Sequence, residues 1–378
     1  MDVTVSAGGK FHAYHLARGV ENAGHLRRFI TTIFDRREEG IPRSKVRQII
    51  MPELLSQPVW RLPLANSIYY SYFLRDNLFD LLSRRHVTGG DIFNVFNHFG
   101  LYAMRKAKAQ GMKTVVERSA FHPKTNEIML AEEYSRFGLR FARGGRLLYS
   151  KHQAEYEEAD AVVVPSQIVA RSLIDTGVDA SKIHYVHLGF SPERFQPDPS
   201  AKQDSTFRVI YAGAINLRKG VPYLLEAFRL LDLPDAELVL VGSAFPESRA
   251  FLPHYEGIYR HVPFVPQEEL VALYNQASVF VLPSLEDGFG MVVYEAAACG
   301  LPVIVTENVG APIRDGVDGF IVPIRDAEAL AQKLLAFYQN PALRQQMGRA
   351  AHDYVQQFTW EAYHSQVLAN YRQILQST

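Results

Sequence analysis

Two carboxylates, Asp287 and Glu295, stand eight positions apart around Gly288-Phe289-Gly290-Met291-Val292, within the stretch VFVLPSLEDGFGMVVYEAAACGLP. The apolar run ending at Phe280 and Leu282 has strand length, Pro283-Ser284 breaks it, and the helical pattern that follows stops at Gly300. The glycine turn therefore opens a helix, whose first amides lack intrahelical acceptors and whose dipole favours negative charge. A phosphate fits such a start without a metal. Asp287 before the helix and Glu295 within it can each accept hydrogen bonds from hydroxyls, one on either side of that phosphate. A nucleotide carrying a sugar has hydroxyls on both sides.

Other residues extend this chemistry. Arg218-Lys219-Gly220 lies between a strand ending near Ala212 and a helix beginning near Val221. It reads as an exposed pair of cations that neutralises a departing diphosphate, whose charge grows in the transition state. The sequence has no Asp-x-Asp triplet and no His/Asp cluster of metal spacing, so these cations are expected to stand in for a metal, and no cofactor is expected. Gly213 closes the strand before Arg218, and Gly8 and Gly9 follow the first strand; each lets backbone approach a ligand closely. His122, in ERSAFHP, follows a strand end at Glu117 and is the candidate catalytic histidine, with His12, His98 and Arg118 as competitors.

Two alternating series of elements must position these groups. In the first half, strands are expected at Val3 to Val5, Arg28 to Ile33, Asp91 to Phe96, Lys113 to Glu117, Ala161 to Val164 and Ile183 to His187. Helical stretches such as Phe11 to Glu21, Leu101 to Gln110 and Gln167 to Asp175 separate them. His187 to Thr206, with Pro192, Pro197 and Pro199, reads as a connection between domains. Then come strands at Arg208 to Ala212, Glu237 to Val241, Val279 to Leu282 and Pro302 to Thr306, with helices at Val221 to Leu231, Gln267 to Gln276, Met291 to Cys299 and Ala327 to Gln339. Alternation of this kind specifies α/β domains, doubly wound parallel sheets with helices on both faces. Gly40 to Tyr72, broken by four prolines and rich in aromatics from Trp60 on, fits neither series.

A chain of 378 residues is long for one hydrophobic core and comfortable for two. Hydrophobic residues make up 47% and charged residues 21%, which excludes a disordered or low-complexity chain. The single cysteine, Cys299, excludes an intramolecular disulfide framework and a cysteine metal cluster, and a reducing compartment follows. MDVTVSAGG has no signal-peptide pattern, and no apolar run is long enough to span a membrane; a cytoplasmic protein, free or at the membrane face, is expected. The zero net charge is uneven. Residues 1–190 carry 26 Lys and Arg against 19 Asp and Glu, a net +7, leaving 14 against 21, a net −7, for the remainder. A basic first half suits an anionic membrane or a phosphorylated acceptor, unless charge simply varies between domains. The basic residues form no stripe with interleaved stacking aromatics, so no nucleic-acid partner is expected.

The acidic pair at Asp287 and Glu295, with ACGLPVIVTENVGAPIRDGVDGFIVP downstream and YAGAINLRKGVPYLLEAF and YEEADAVVVPS upstream, resembles the retaining glycosyltransferases of two-Rossmann GT-B architecture, glycosyltransferase family four (glycosyl transferases group 1) in particular. The resemblance covers nearly the whole chain. That family usually has Glu where Asp287 stands, here preceded by Glu286, and commonly has Arg where Ala214 follows Gly213.

The resemblance implies two Rossmann-like domains facing a cleft. They are an acceptor-side domain over 1–190, joined by a crossing-back helix in 358–378, and a nucleotide-sugar domain over 200–357. It further implies that Asp287 contacts the sugar, Glu295 the ribose, and the amides of Phe289 to Val292 the diphosphate and sugar. Gly8 and Gly9 would face the donor. The implied reaction is metal-independent transfer of a sugar, with retention, from a nucleotide diphosphate-sugar to a hydroxyl of a glycan, lipid-linked or small-molecule acceptor. A nucleotide-sugar epimerase or sugar phosphorylase of the same architecture, and a non-catalytic nucleotide-sugar-binding protein, are the alternatives.

Overall fold

The computed structural model describes residues 1–35, 40–60, 67–142 and 146–376. These fall into two compact units, one of residues 1–127, 142–188 and 360–378, the other of 128–141 and 189–359.

In the first unit, strands β1 (Val3–Ala7), β2 (Leu26–Thr31), β3 (Val46–Gln48), β4 (Ile92–Phe96), β5 (Lys113–Glu117), β6 (Ala161–Val164) and β7 (Ile183–Tyr185) form a parallel sheet in the order β3-β2-β1-β4-β5-β6-β7. The connecting helices are α1 (Ala13–Asn22), α2 (Met51–Trp60), α3 (Ser67–Ser83), α4 (Leu101–Lys108), α5 (Pro123–Arg136, which passes into the second unit at Ile128), α6 (Arg146–Glu158) and α7 (Gln167–Ile174). Every residue of β1, β4 and β6 is buried, as a sheet covered on both faces requires. Ser166 starts α7 by accepting the Val169 amide. β3 and α2 occupy part of the segment 40–72 that the sequence pattern leaves unassigned, and residues 61–66 lie outside the described residues.

The second unit repeats the plan. Strands β8 (Phe207–Ala212), β9 (Ala236–Val241), β10 (Tyr259–Val262), β11 (Val279–Leu282), β12 (Val303–Thr306) and β13 (Gly319–Val322) run parallel in the order β10-β9-β8-β11-β12-β13. Helices α8 (Val221–Leu231), α9 (Gln267–Gln276), α10 (Met291–Ala298), α11 (Ala327–Gln339) and α12 (Pro341–Val355) accompany them. Asp326 and Asn340 cap α11 and α12 through the amides of Ala329 and Leu343.

Residues 128–141, placed by sequence in the first domain, group with the second unit. Buried Glu133 is held there by Arg325, at 2.6 Å, and by the Tyr223 hydroxyl, at 2.7 Å; Tyr134 donates to Glu247 at 2.9 Å. The chain ends in α13 (Trp360–Gln376), which belongs to the first unit, as the crossing-back helix was expected to. Its Tyr363, Val367, Tyr371 and Ile374 are buried, Tyr371 donates to Asn94 of β4 at 2.9 Å, and Trp360 stacks on His15 of α1.

Candidate functional site

In the second unit the strand order reverses between β8 and β11, and in such sheets ligands bind beyond the carboxyl ends of the strands at that reversal. Both ends carry residues singled out by sequence. Gly213 follows β8 at φ 151, and Gly220 opens α8 in the left-handed region at φ 66. A side-chain carbon on Gly220 would lie 1.9 Å from the Pro283 carbonyl oxygen, so glycine is what lets the start of α8 press against the end of β11. The Leu285 amide donates to the Arg218 carbonyl at 2.9 Å and fastens the two loops together.

This junction brings four charges together. The Arg218 guanidinium donates to the Glu286 carboxylate at 3.0 Å and to its carbonyl at 3.1 Å, and the Lys219 ammonium is hydrogen-bonded to Asp287. Lys219 is not the exposed cation expected from its loop position. Its side chain is 13% exposed, and burial lowers its pKa from the ordinary value against the opposing pull of Asp287. Sequence reasoning missed the reason, which is that the loop turns inward: the Lys219 amide donates to the Asn216 side chain at 2.9 Å. On its other flank the Asp287 loop is braced by residues after β12. The Asp287 amide donates to Asn308, the Gly310 amide donates back to Asp287, and Asn308 donates its side-chain amide to Leu285.

Gly290, at φ 75, opens α10. The amides of Met291 and Val292 are those a first helical turn leaves without intrahelical partners. Phe289 contributes backbone alone, since its side chain is buried edge-on against Tyr294. Glu295 lies one turn into α10, where burial raises its carboxyl to about 7 against the opposing Tyr274 hydroxyl. Beside this turn is a cavity of about 330 Å³ whose lining includes Gly213, Ala214, Gly242, Phe245, Phe264 and Val292. No charged side chain lines it. Its apolar wall suits a planar base, and the charged junction suits phosphate and sugar.

The first unit holds a separate cavity of about 490 Å³ at the carboxyl ends of β4 and β5, lined by Phe11, Asp76, His98, Glu117 and Arg118 among others. Gly8 lies under the Phe99 ring, 2.2 Å from where its side-chain carbon would be, and a carbon on Gly9 would approach the Phe11 ring to 3.0 Å. Their bareness serves aromatic packing beside this cavity.

His122 does not line the cavity. It is buried ahead of α5, where its Nδ1 accepts the Lys124 amide at 3.2 Å, and burial together with Arg118 and Lys124 lowers its pKa to about 4. Such a histidine is neutral and caps a helix. His98 is the histidine that reaches the cavity. Its backbone is left-handed, at φ 88, and its amide donates to Glu155 at 2.7 Å. Fully buried Glu155 also accepts from Asn97 and Gly100, and burial raises its carboxyl to about 7. Positive φ at a residue other than glycine persists when its surroundings over-determine it, as Glu155 does here.

Asn308, Phe245, Phe264 and Glu155 are neighbours of these sites that sequence reasoning passed over, and Glu286 was noted there only as the acid before Asp287. Glu286 and the Gly242 turn had a signal, an acid beside Asp287 and a second glycine directly after a strand; the others act through tertiary neighbours. Among the described residues no three His, Cys, Asp or Glu side chains gather in a metal-binding group.

Residues 192–354 match the family described as Glycosyl transferases group 1, and residues 7–194 match Glycosyltransferase Family 4. D-inositol 3-phosphate glycosyltransferases from Mycolicibacterium gilvum and Kribbella flavida are 32% and 31% identical, over 55% and 57% of this chain and 50% and 57% of theirs. The chain thus spans little more than half the length of these curated relatives. Sucrose-phosphate synthase from Thermosynechococcus elongatus superimposes with a TM-score of 0.75 at 19% identity, covering 100% of both chains. Anabaena HepE in complex with UDP gives 0.71 at 14%, covering 99% of this chain and 100% of that one. At such identities the likeness is one of fold, the two Rossmann-like parallel-sheet domains of GT-B proteins.

Proposed function

We propose, from the premise that this chain belongs to glycosyltransferase family four of the group 1 glycosyl transferases, that it transfers a sugar from a nucleoside diphosphate-sugar to an acceptor hydroxyl. The observation that carries the reading is the junction of Lys219, Asp287 and the start of α10 at the strand reversal of the second unit, beside an apolar cavity of base-accepting character. In this reading the base enters that cavity, Glu295 accepts the ribose hydroxyls, and the diphosphate meets the first amides of α10. Lys219 has three donors, of which Asp287 takes one, leaving two for phosphate oxygens. With Arg218 it supplies the positive charge that a metal would otherwise bring.

The reaction breaks the bond between the anomeric carbon and the β-phosphate oxygen, and the electron pair leaves with the nucleoside diphosphate. The acceptor oxygen bonds to the same carbon on the same face, so configuration is retained, and its proton passes to the departing phosphate. No protein base is then required, which agrees with a His122 that is buried and neutral. The acceptor is held by the first unit, whose cavity combines aromatic rings with Arg118, Glu117 and His98.

Incubation with a panel of UDP-, GDP- and ADP-sugars and of acceptors, D-inositol 3-phosphate included, tests the proposal by mass spectrometry. Nucleoside diphosphate is expected to form only when both partners are present, and equally with EDTA. Conversion of the donor to an isomeric nucleotide-sugar without acceptor would favour an epimerase, and sugar 1-phosphate formed from a glycan and inorganic phosphate would favour a phosphorylase. Loss of activity in EDTA and recovery with magnesium would refute the role given to Lys219 and Arg218.

A further inference from the structure

Helix α3 is amphipathic in the wrong sense for a helix covering a core. Beside Phe79, the buried residues of α3 are polar, Ser71, Asp76, Asp80 and Ser83, whereas Tyr70, Leu74 and Leu81, which share one helical face, are exposed by 61%, 40% and 48%. The inward polar groups are satisfied. Ser71 donates to the Ser56 carbonyl of α2, Asp80 accepts the Tyr102 and Ala103 amides and pairs with Lys151 at 3.0 Å, and Asp76 accepts from Arg75. The inversion is thus built, and the outward leucines are not misplaced core. The neighbouring α2 does the same, with Leu54 62% exposed and Met51, Leu55 and the preceding Ile50 about half exposed. Two consecutive helices therefore present aliphatic side chains to water. Exposed apolar side chains on two neighbouring helices mark a candidate interaction site.

Positive charge adjoins it. Arg84 and Arg85 follow α3 directly, and Arg47 on β3 precedes Ile50 by three residues. Arg28, Arg47, Arg85 and Lys106 all bear on His86, lowering its pKa further after the effect of burial, so these cations are gathered in one place. Among the described residues none of these cations, nor Arg84, has a carboxylate within 4 Å.

We propose that the exposed face of α2 and α3, with the basic cluster at its end, is a docking surface for an anionic lipid bilayer. Leucine, isoleucine, methionine and tyrosine side chains enter the headgroup boundary, and the arginines meet lipid phosphate. A second copy of the chain fits less well, because a two-fold contact through this patch would set like charges together. No helix among the described residues is long and apolar enough to cross a membrane, and the contact is one of a face laid on the surface.

The proposal is independent of the sugar-transfer reading, since its test needs no turnover. The full chain is floated with vesicles of phosphatidylcholine alone and of phosphatidylcholine mixed equally with phosphatidylglycerol, at low and high salt, with sedimentation velocity run alongside. Flotation with the mixed vesicles, weakened by salt, is expected. Leu54→Glu with Leu74→Glu should abolish it, and Arg84→Ala with Arg85→Ala should weaken it by about fivefold for each cation removed. Circular dichroism melts check folding, and the arginine pair, lying wholly on the surface, keeps the test valid if the leucine pair unfolds. Failure to float with mixed vesicles, flotation indifferent to both variants, or a dimer that the leucine variant dissociates in a chain that does not float would each overturn the proposal.

Discussion

At Glu295 binding and stability pull in opposite directions. Burial holds its carboxyl at about 7, above the ordinary 4.5, so the neutral form is favoured when folded. A raised carboxyl contributes stability in full below about pH 4.5 and loses it as pH rises to about 7, because the unfolded chain ionises first. Glu295→Gln, which cannot ionise, should gain on the wild type by roughly 1 to 3 kcal/mol between pH 4 and pH 8 in thermal or urea melts. Calorimetry should show the reverse for ligand. Nucleoside diphosphate affinity falls by roughly 1 to 3 kcal/mol in Glu295→Ala, as for loss of a charge-assisted hydrogen bond. A variant equal to the wild type in both measurements would remove Glu295 from the site. Its place could be read from the sequence, because one helix and one preceding turn fix it. The burial of Lys219 could not, since that depends on Asn216 turning the loop inward and on Asp287 arriving from a strand 68 positions later.

Glycine positions separate conformation from packing at the scale of elements. Gly220 and Gly257 both have positive φ, at 66 and 85, yet a side-chain carbon on Gly257 would meet nothing within 4 Å whereas on Gly220 it meets Pro283 backbone. Gly257→Ala should therefore cost only the left-handed strain, about 1 to 2 kcal/mol. Gly220→Ala must also part α8 from β11, and a loss of at least about 3 kcal/mol is expected in urea melts, together with weakened nucleoside diphosphate binding. Equal losses for the two variants would mean that the loop relaxes freely. Elements legible in sequence were those with a run of apolar residues between breakers: β5, β6, β11, α8, α9 and α11 lie where the pattern puts them. Short or half-exposed strands escaped, β3 with three residues and β10 with an exposed centre, because neither buries enough to leave an apolar run. The inverted pattern of α3 hid that helix for a related reason, its apolar stripe pointing away from the core.

For the whole molecule, Trp60 and Trp360 both fall in the first unit, and Trp360 stacks on His15 of α1, so its fluorescence follows the packing of α13 in that unit. Tyr371→Ala empties a buried site on α13 and leaves Asn94 of β4 without its donor, at a cost of about 3 to 5 kcal/mol. The tryptophan transition should move to lower denaturant, while nucleoside diphosphate affinity, a property assigned to the second unit, stays near the wild-type value. A parallel loss of affinity would show that the units do not fold independently.

The place of α13 also sets a timetable at the ribosome. The second unit is encoded entirely before residue 360, whereas the first, begun at residue 1, has its sheet strands complete by Tyr185 and must wait for its last helix. At typical elongation rates the 172 residues from 188 to 360 take roughly ten to thirty seconds to synthesise, long compared with the folding of most domains. During that interval the surface that Tyr363, Val367, Tyr371 and Ile374 later cover is open to chaperones and to neighbouring nascent chains. Of the two units, the one whose sheet is translated first is the one that matures last.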